Sequence, residues 1–187
     1  MNQKLLRIQC IAFAAAFLTG SLANAQSSTS TTPSGPKSYS IEGISLVLPS
    51  LPDGPHLIPT SPKMSEIIKR QAGYQAAGED CSVLVFHAAQ DPKYPVSLDL
   101  AVSGALENMK KVPGTTDFTS KQVNKYPITG AKTSEIVIQL NQSGVPKMVQ
   151  VLTIAKDNHL HQITIEGTSN AVEKWAAIVF PSIKISP

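Results

Sequence analysis

Two histidines lie one residue apart in the segment DNHLHQITIEG (157–167), and a glutamate follows five residues after the second. Alternate residues of a β-strand point to the same face, so the imidazoles of His159 and His161 are expected about 6.6 Å apart. Two imidazoles at this spacing can bind one transition-metal ion. Glu166 has the opposite parity, so its carboxylate is expected on the other face of the strand. The segment therefore offers two candidate metal ligands without a third.

The same spacing resembles the first cupin motif, His-x-His with a glutamate after four further residues. The chain departs from that motif at both glycine positions, which hold Thr153 and Glu173, and it has no second motif with a third histidine. The alternative places His159 in a solvent-exposed turn and His161 as a partly buried strand residue. We favour this alternative and expect no metal, because two ligands alone rarely form a site.

Other catalytic patterns are weaker. Cys81 and His87 share one parity, but six residues of strand separate them by about 20 Å, so a buried, inert thiol is expected. Glu79 and Asp80 fall in a predicted turn, where solvated carboxylates are usual. The chain has no G-x-S-x-G, P-loop, H-E-x-x-H or S-x-x-K motif. We therefore expect a protein that is not an enzyme and has no cofactor.

The first 25 residues have the pattern of a secretory signal peptide. Lys4 and Arg7 precede the apolar run 8–18, and Ala-Asn-Ala ends at Ala25 as a small-residue cleavage site. The alternative is a retained membrane anchor, but the apolar run is shorter than the roughly 20 residues that a spanning helix needs. We predict cleavage after Ala25 and an exported protein, periplasmic or secreted, with no integral membrane anchor after cleavage.

Composition restricts the remainder of the chain. Residues 26–38 are rich in Ser, Thr, Pro and Gly and are predicted to be a flexible tether, with a single domain over residues 39–187. Without the signal peptide the formal charge falls from +3 to +1, and no basic block remains, so nucleic acid is not an expected partner. Cys81 is then the one remaining cysteine, so the domain must depend on its hydrophobic core rather than on an internal disulfide.

Hydrophobic patterns predict the elements that position these residues. Helical stripes are predicted from Leu98 to Met109 and from Val172 to Val179, with Asn170 and Glu173 as a capping box and Pro181 as the end of the second helix. Periodicity leaves residues 64–76 open between strand and helix. Alternating or continuous apolar patterns predict strands at 44–49, 81–86, 118–123, 134–140, 147–155 and 160–166.

The strand at 81–86 is apolar on both faces, which indicates a sheet covered on both sides. The predicted fold class is accordingly α/β (α+β), a central antiparallel sheet with helices packed on both faces. The phrases LENMKKVPG (106–114) and KYPITGAK to SIKI (125–185) resemble the PsbP-like and DcrB-like families over residues 39–186. The resemblance implies a PsbP-like α/β/α sandwich and a mostly non-enzymatic membership, and it carries no catalytic residue to this chain.

The loop at 48–62 contains five prolines together with the apolar residues Leu51, Leu57 and Ile58. Rigid, partly apolar loops on a stable scaffold often bind partners, although many such loops only connect elements. The residues expected to contact a partner are Leu51, His56, Leu57 and Ile58.

The sequence thus predicts an exported binding or assembly module of the cell envelope that engages an envelope or secreted protein. Two alternatives remain open. One is a metal-binding protein or enzyme that uses His159 and His161, and the other is an inhibitor or immunity-type protein against a secreted effector.

Overall fold

The computed structural model describes residues 36–48, 56–58, 68–77 and 80–186. The predicted signal peptide and most of the predicted tether lie outside these residues. The elements are β1 (Lys37–Ile41), β2 (Ile44–Leu48), β3 (His56–Ile58), β4 (Ile68–Ala77), β5 (Cys81–Gln90), α1 (Leu98–Lys110), β6 (Thr115–Val123), β7 (Lys132–Gln142), β8 (Val145–Lys156), β9 (His159–Gly167), α2 (Ser169–Ser182) and β10 (Lys184–Ile185).

The strands form two antiparallel sheets. The larger has the order β3-β4-β5-β9-β8-β7-β6, and the smaller has the order β1-β2-β10. β9 lies between β5 and β8, so His161 is directly opposite His87 on one neighbour and Ile154 on the other. This register decides which polar side chains meet.

One face of the larger sheet packs against α2 and the smaller sheet together. Alternate residues of β5, β8 and β9 share a buried cluster with both partners, because they point to this face of the pleat. The cluster includes Val83, Val85, Leu152, Ile163 and Ile165 from the larger sheet, Ile44, Leu46 and Leu48 from β2, and Val172, Ala176 and Val179 from α2.

The opposite face packs against α1. Ala101, Ala105 and Met109 of this helix are buried. They pack against sheet side chains that point away from the smaller sheet. The helix begins where the Ser97 side chain accepts a hydrogen bond from the Leu100 N–H at 3.3 Å. The sheet residues in contact with it include Phe86, Ala88, Leu160, Ile136, Ile138, Val149 and Val151.

The prediction of a mixed α+β fold dominated by antiparallel sheet is confirmed, but the simple α/β/α sandwich is wrong. The smaller sheet shares a layer with α2, and the sequence did not indicate it because β10 has two residues and pairs with a distant strand. Of the open segment, Ile68 onward is strand β4. In the described part of the chain, neither helix is long and apolar enough to cross a membrane.

The predicted start of the second helix is also corrected. The N-cap of α2 is Thr168 rather than Asn170, and the helix continues through Pro181 to Ser182. The Thr168 N–H donates to the Asp80 carbonyl at 3.2 Å, and the Thr168 carbonyl accepts from Val172. The chain therefore leaves the sheet at Thr168, before the capping-box pair can act.

Candidate functional site

Three histidines meet on the face of the larger sheet that carries the smaller sheet. His159 and His161 are two residues apart on β9, and His87 of β5 is directly opposite His161. His87 and His161 are 3% and 2% exposed, whereas His159 is exposed at the start of its strand. The predicted pair is thus part of a triad that extends from the surface into the core.

The rings are in direct contact. Nε2 of His87 lies 3.1 Å from Nδ1 of His159, with ring centroids 5.4 Å apart and ring planes 15° from parallel. The His87 and His161 centroids are 4.7 Å apart, with the planes tilted by 30°. The first pair is a hydrogen bond between imidazoles, so one ring must donate and the other accept.

A part-buried carboxylate, whose side chain is 9% exposed, continues this contact on the other side of His87. Glu42 stands in the two-residue turn between β1 and β2, where φ is 48° for Glu42 and 82° for Gly43, the left-handed geometry of a tight hairpin. Its Oε1 accepts the Tyr74 hydroxyl proton at 3.0 Å, and its Oε2 lies 3.5 Å from His87 Nδ1. Polar groups therefore run from Tyr74 through Glu42 and His87 to the exposed His159.

His161 is held neutral within this cluster. Burial, followed by repulsion from His87 and then His159, lowers the pKa of His161 from 6.5 to about 3. Its Nδ1 is buried without a hydrogen-bond partner. A positive charge on this ring would lose its hydration and be repelled by the two neighbouring histidines, so His161 stays uncharged at neutral pH.

The triad does not have the geometry of a metal centre. Among the described residues, no group of three His, Cys, Asp or Glu side chains can hold a metal ion. The nearly parallel rings of His87 and His159 face each other through a hydrogen bond, whereas metal ligands must direct lone pairs at one ion about 2.0–2.1 Å away. Glu166 lies on the opposite face, as its parity predicts, and pairs with Lys147.

The thiol is also separate from the histidines. Cys81 lies opposite Gly167, at the other end of β5 from His87. Burial, with a smaller contribution from the Asp80 charge, raises the pKa of Cys81 to about 11. A thiol that keeps its proton is a poor nucleophile. The burial expected for Cys81 is observed, and its inert role stays a prediction.

The predicted partner contacts fall in two places. Leu51 lies outside the described residues. His56, Leu57 and Ile58 form β3, an edge strand of the larger sheet that pairs with Tyr74 and its neighbours on β4. Part of the predicted proline-rich loop is therefore a strand whose backbone pairs with β4, and among the described strands β4 is its one neighbour.

A second candidate surface lies between the segment 125–129 and the end of the chain at 180–185. These two segments line a groove of about 430 Å³, within the range of volumes that bind small ligands or side chains. Its apolar surface includes Tyr126, whose ring packs edge-on against the Phe180 ring with the two ring centroids 5.4 Å apart. Lys125 and Lys184 are exposed on its lining. Sequence analysis did not find this groove, because its two sides are distant in the chain.

A buried carboxylate holds one side of the groove. Glu135 of β7 is 1% exposed, and its Oε2 accepts the backbone N–H of Lys125 at 2.7 Å. Its Oε1 accepts from Gln150 Nε2 at 2.5 Å. Since a buried carboxylate is stable only when its oxygens are paired, these bonds fix the start of the segment 125–129 on the sheet.

Comparisons with known proteins give a likeness in fold only. No family model matches the chain, and no curated protein matches it, so the PsbP-like and DcrB-like resemblance stays a prediction. The crystal structure of LpqN, involved in cell envelope biogenesis of Mycobacterium tuberculosis, is similar at 14% identity with a TM-score of 0.46, covering 81% of this chain and 90% of that one.

A protein of unknown function from Pseudomonas aeruginosa, PA94, described as a putative regulator, is similar at 14% identity with a TM-score of 0.38. The match covers 75% of this chain and 88% of that one. Both TM-scores are below 0.5, so neither likeness carries an argument about function.

Proposed function

We propose that this chain is an exported, non-enzymatic binding module of the cell envelope that engages a protein partner through the groove between 125–129 and 180–185. The observation that supports the proposal is the groove itself. It combines apolar side chains, polar groups and two exposed ammonium groups in one open lining, on a scaffold covered on both faces. Surfaces of this composition are typical of recognition sites.

The polar cluster around His87 supports a binding role better than a catalytic one. Its groups hydrogen-bond or stack on one another, and the buried His161 is neutral. Such a network fixes the β1–β2 turn over the larger sheet. β10 pairs with β2, so the same turn contributes to the position of one groove wall.

The test is photo-crosslinking in the native host. A photoreactive phenylalanine analogue replaces Ile128 in the groove, and the control places it at Val145, which is 56% exposed in the β7–β8 hairpin. We expect a discrete protein adduct from Ile128 and not from Val145. The same adducts from both positions, or none from Ile128, would contradict binding through the groove.

A third position separates the groove from the proline-rich loop. The analogue at Leu57 tests the contact predicted from sequence at Leu51, His56, Leu57 and Ile58. An adduct from Leu57 alone would show that the protein has a partner and that this partner contacts β3 rather than the groove. The identity of the captured protein also separates an assembly partner from a secreted effector, as the inhibitor alternative requires.

Export has its own test. Amino-terminal sequencing of the protein recovered from the periplasm or the medium is expected to begin at Gln26, directly after the predicted cleavage site. Recovery of uncleaved chain in the membrane fraction would instead favour a retained anchor.

A further inference from the structure

Lys125 and Lys184 contribute two ammonium groups to a groove whose exposed lining is part polar and part apolar. Within the ranges 36–48, 56–58, 68–77 and 80–186, neither ammonium forms an ion pair with a carboxylate. The Lys125 ammonium instead lies over the Tyr126 ring, 5.6 Å from its centroid. A ligand that brings negative charge to this lining would gain two favourable interactions without breaking an ion pair between described residues.

Lys156 adds a third ammonium near the same end of the groove. Its Nζ donates to the Ser186 carbonyl at 3.2 Å, directly after β10. The groove wall formed by β10 is thus flanked by Lys156 and Lys184, and the wall formed by 125–129 by Lys125. The charge around the groove is complementary to an acidic ligand.

The apolar side chains of the groove favour a ligand that has apolar surface as well as negative charge. Tyr126, Ile128 and Ile185 are partly buried side chains that pack on the core and still line the groove. Covering them removes apolar surface from water, which favours a ligand with a bulky apolar side chain. A small inorganic anion would leave this surface exposed.

The edge of the smaller sheet indicates that this ligand is a peptide. β10 is an outer strand of that sheet. The Ser186 N–H donates to the Gly43 carbonyl across the β2–β10 pair, so antiparallel alternation directs the N–H and C=O of Ile185 away from β2. An extended peptide can pair with these groups by strand addition, and an acyl chain cannot.

We infer that the groove binds an extended acidic segment of the partner protein, with an apolar side chain against Tyr126 and Ile128 and carboxylates beside Lys125 and Lys184. The backbone of this segment lies along Ile185. The inference rests on the proposed function and names the chemistry of the partner at that site.

Isothermal titration of the exported protein with synthetic peptides tests it. The probe is a capped hexapeptide of alternating leucine and glutamate, compared with the same peptide carrying lysine for glutamate and with one carrying alanine for leucine. We expect the leucine–glutamate peptide to bind most tightly and its affinity to fall with added salt. Methylation of a central backbone nitrogen is expected to weaken binding, because it removes a strand-pairing donor.

Charge reversal identifies the site. The double variant Lys125→Glu/Lys184→Glu is expected to lower the affinity for the leucine–glutamate peptide by at least about tenfold, since two attractive contacts become repulsive. Lys93→Glu/Lys111→Glu makes the same change in net charge on exposed residues elsewhere and is expected to leave affinity unchanged.

Three results would overturn the inference. They are no binding of the leucine–glutamate peptide at about 1 mM, equal binding of the lysine peptide, or equal effects of the two double variants. Any of these, together with a groove-specific crosslink at Ile128, would reject the acidic segment and keep the proposed function. Loss of that crosslink would reject the proposed function whatever the peptides do.

Discussion

Nε2 of His87 and Nδ1 of His159 lie 3.1 Å apart, so a buried imidazole on β5 is hydrogen-bonded to an exposed one on β9. On its other side, Nδ1 of His87 is 3.5 Å from the Glu42 carboxylate. In the His87 tautomer that carries its proton on Nδ1, that proton would face the carboxylate and Nε2 would accept from His159. The surface histidine is thereby oriented by a carboxylate that solvent barely reaches.

The third histidine makes stability depend on pH. The folded-state pKa of His161 is lowered to about 3, so between this value and the unfolded value near 6.5 the unfolded chain binds more protons. The contribution of His161 to the free energy of unfolding is fully present above about pH 6.5. It is lost as the pH falls toward 3, at up to about 1.4 kcal/mol per pH unit.

Urea unfolding between pH 7.5 and pH 4.5 measures this dependence. We expect His161→Gln to reduce the loss of stability on acidification relative to the original chain. His159→Gln is the comparison, since it removes an exposed ring and one of the smaller causes of the lowered His161 pKa. Parallel pH profiles for the original chain and His161→Gln would contradict the prediction.

The hydrogen bond between the Tyr74 hydroxyl and the Glu42 carboxylate is expected to stabilise the β1–β2 turn over the larger sheet. Tyr74→Phe removes the donor to Glu42 Oε1 and should cost about 1 kcal/mol of unfolding free energy, with a larger loss for Glu42→Gln because the carboxylate also faces His87. Chemical denaturation of both single variants and the double variant measures the coupling. Additive losses would show that the two side chains do not act on each other.

No tightly bound metal is expected at the triad. The His87–His159 contact is a ring-to-ring hydrogen bond, and the residues placed by the structure supply no three-ligand group. Native mass spectrometry of protein recovered from its host without chelators should therefore give the mass of the bare chain or of a protein complex. Stoichiometric zinc that disappears in His159→Ala/His161→Ala would contradict this expectation and favour the metal-binding alternative.

The local hydrophobic pattern was sufficient to predict most helices and strands, but it was insufficient to predict the histidine cluster and the groove. The stripe containing Val172 and Ala176 predicted α2 because burial repeats with the helical period. The contact of His87 with His159 depends on how β5 pairs with β9, and no local period carries that register. Glu135 was not singled out from the sequence, because its partner Lys125 follows β6 and its partner Gln150 lies on β8, and only the folded sheet brings them together.

Glu135 is expected to control the shape of the groove. Glu135→Gln keeps the volume but replaces one acceptor oxygen with an NH2 donor, which would face either the Lys125 N–H or the Gln150 amide donor. The unsatisfied buried donors should cost about 1–3 kcal/mol of unfolding free energy and release the start of the segment 125–129. Gln139→Ala, at an exposed position of the same strand, is the matched control and should be nearly neutral.

Two measurements on these variants separate a structural effect from a local one. Chemical denaturation gives the loss of stability, and crosslinking from Ile128 at a temperature where both variants are folded gives the state of the groove. We expect Glu135→Gln to lower the yield of the adduct while Gln139→Ala retains it. An unchanged adduct in a destabilised Glu135→Gln protein would mean that the carboxylate stabilises the sheet without holding the groove wall, because the anchor at Lys125 would then be dispensable for binding.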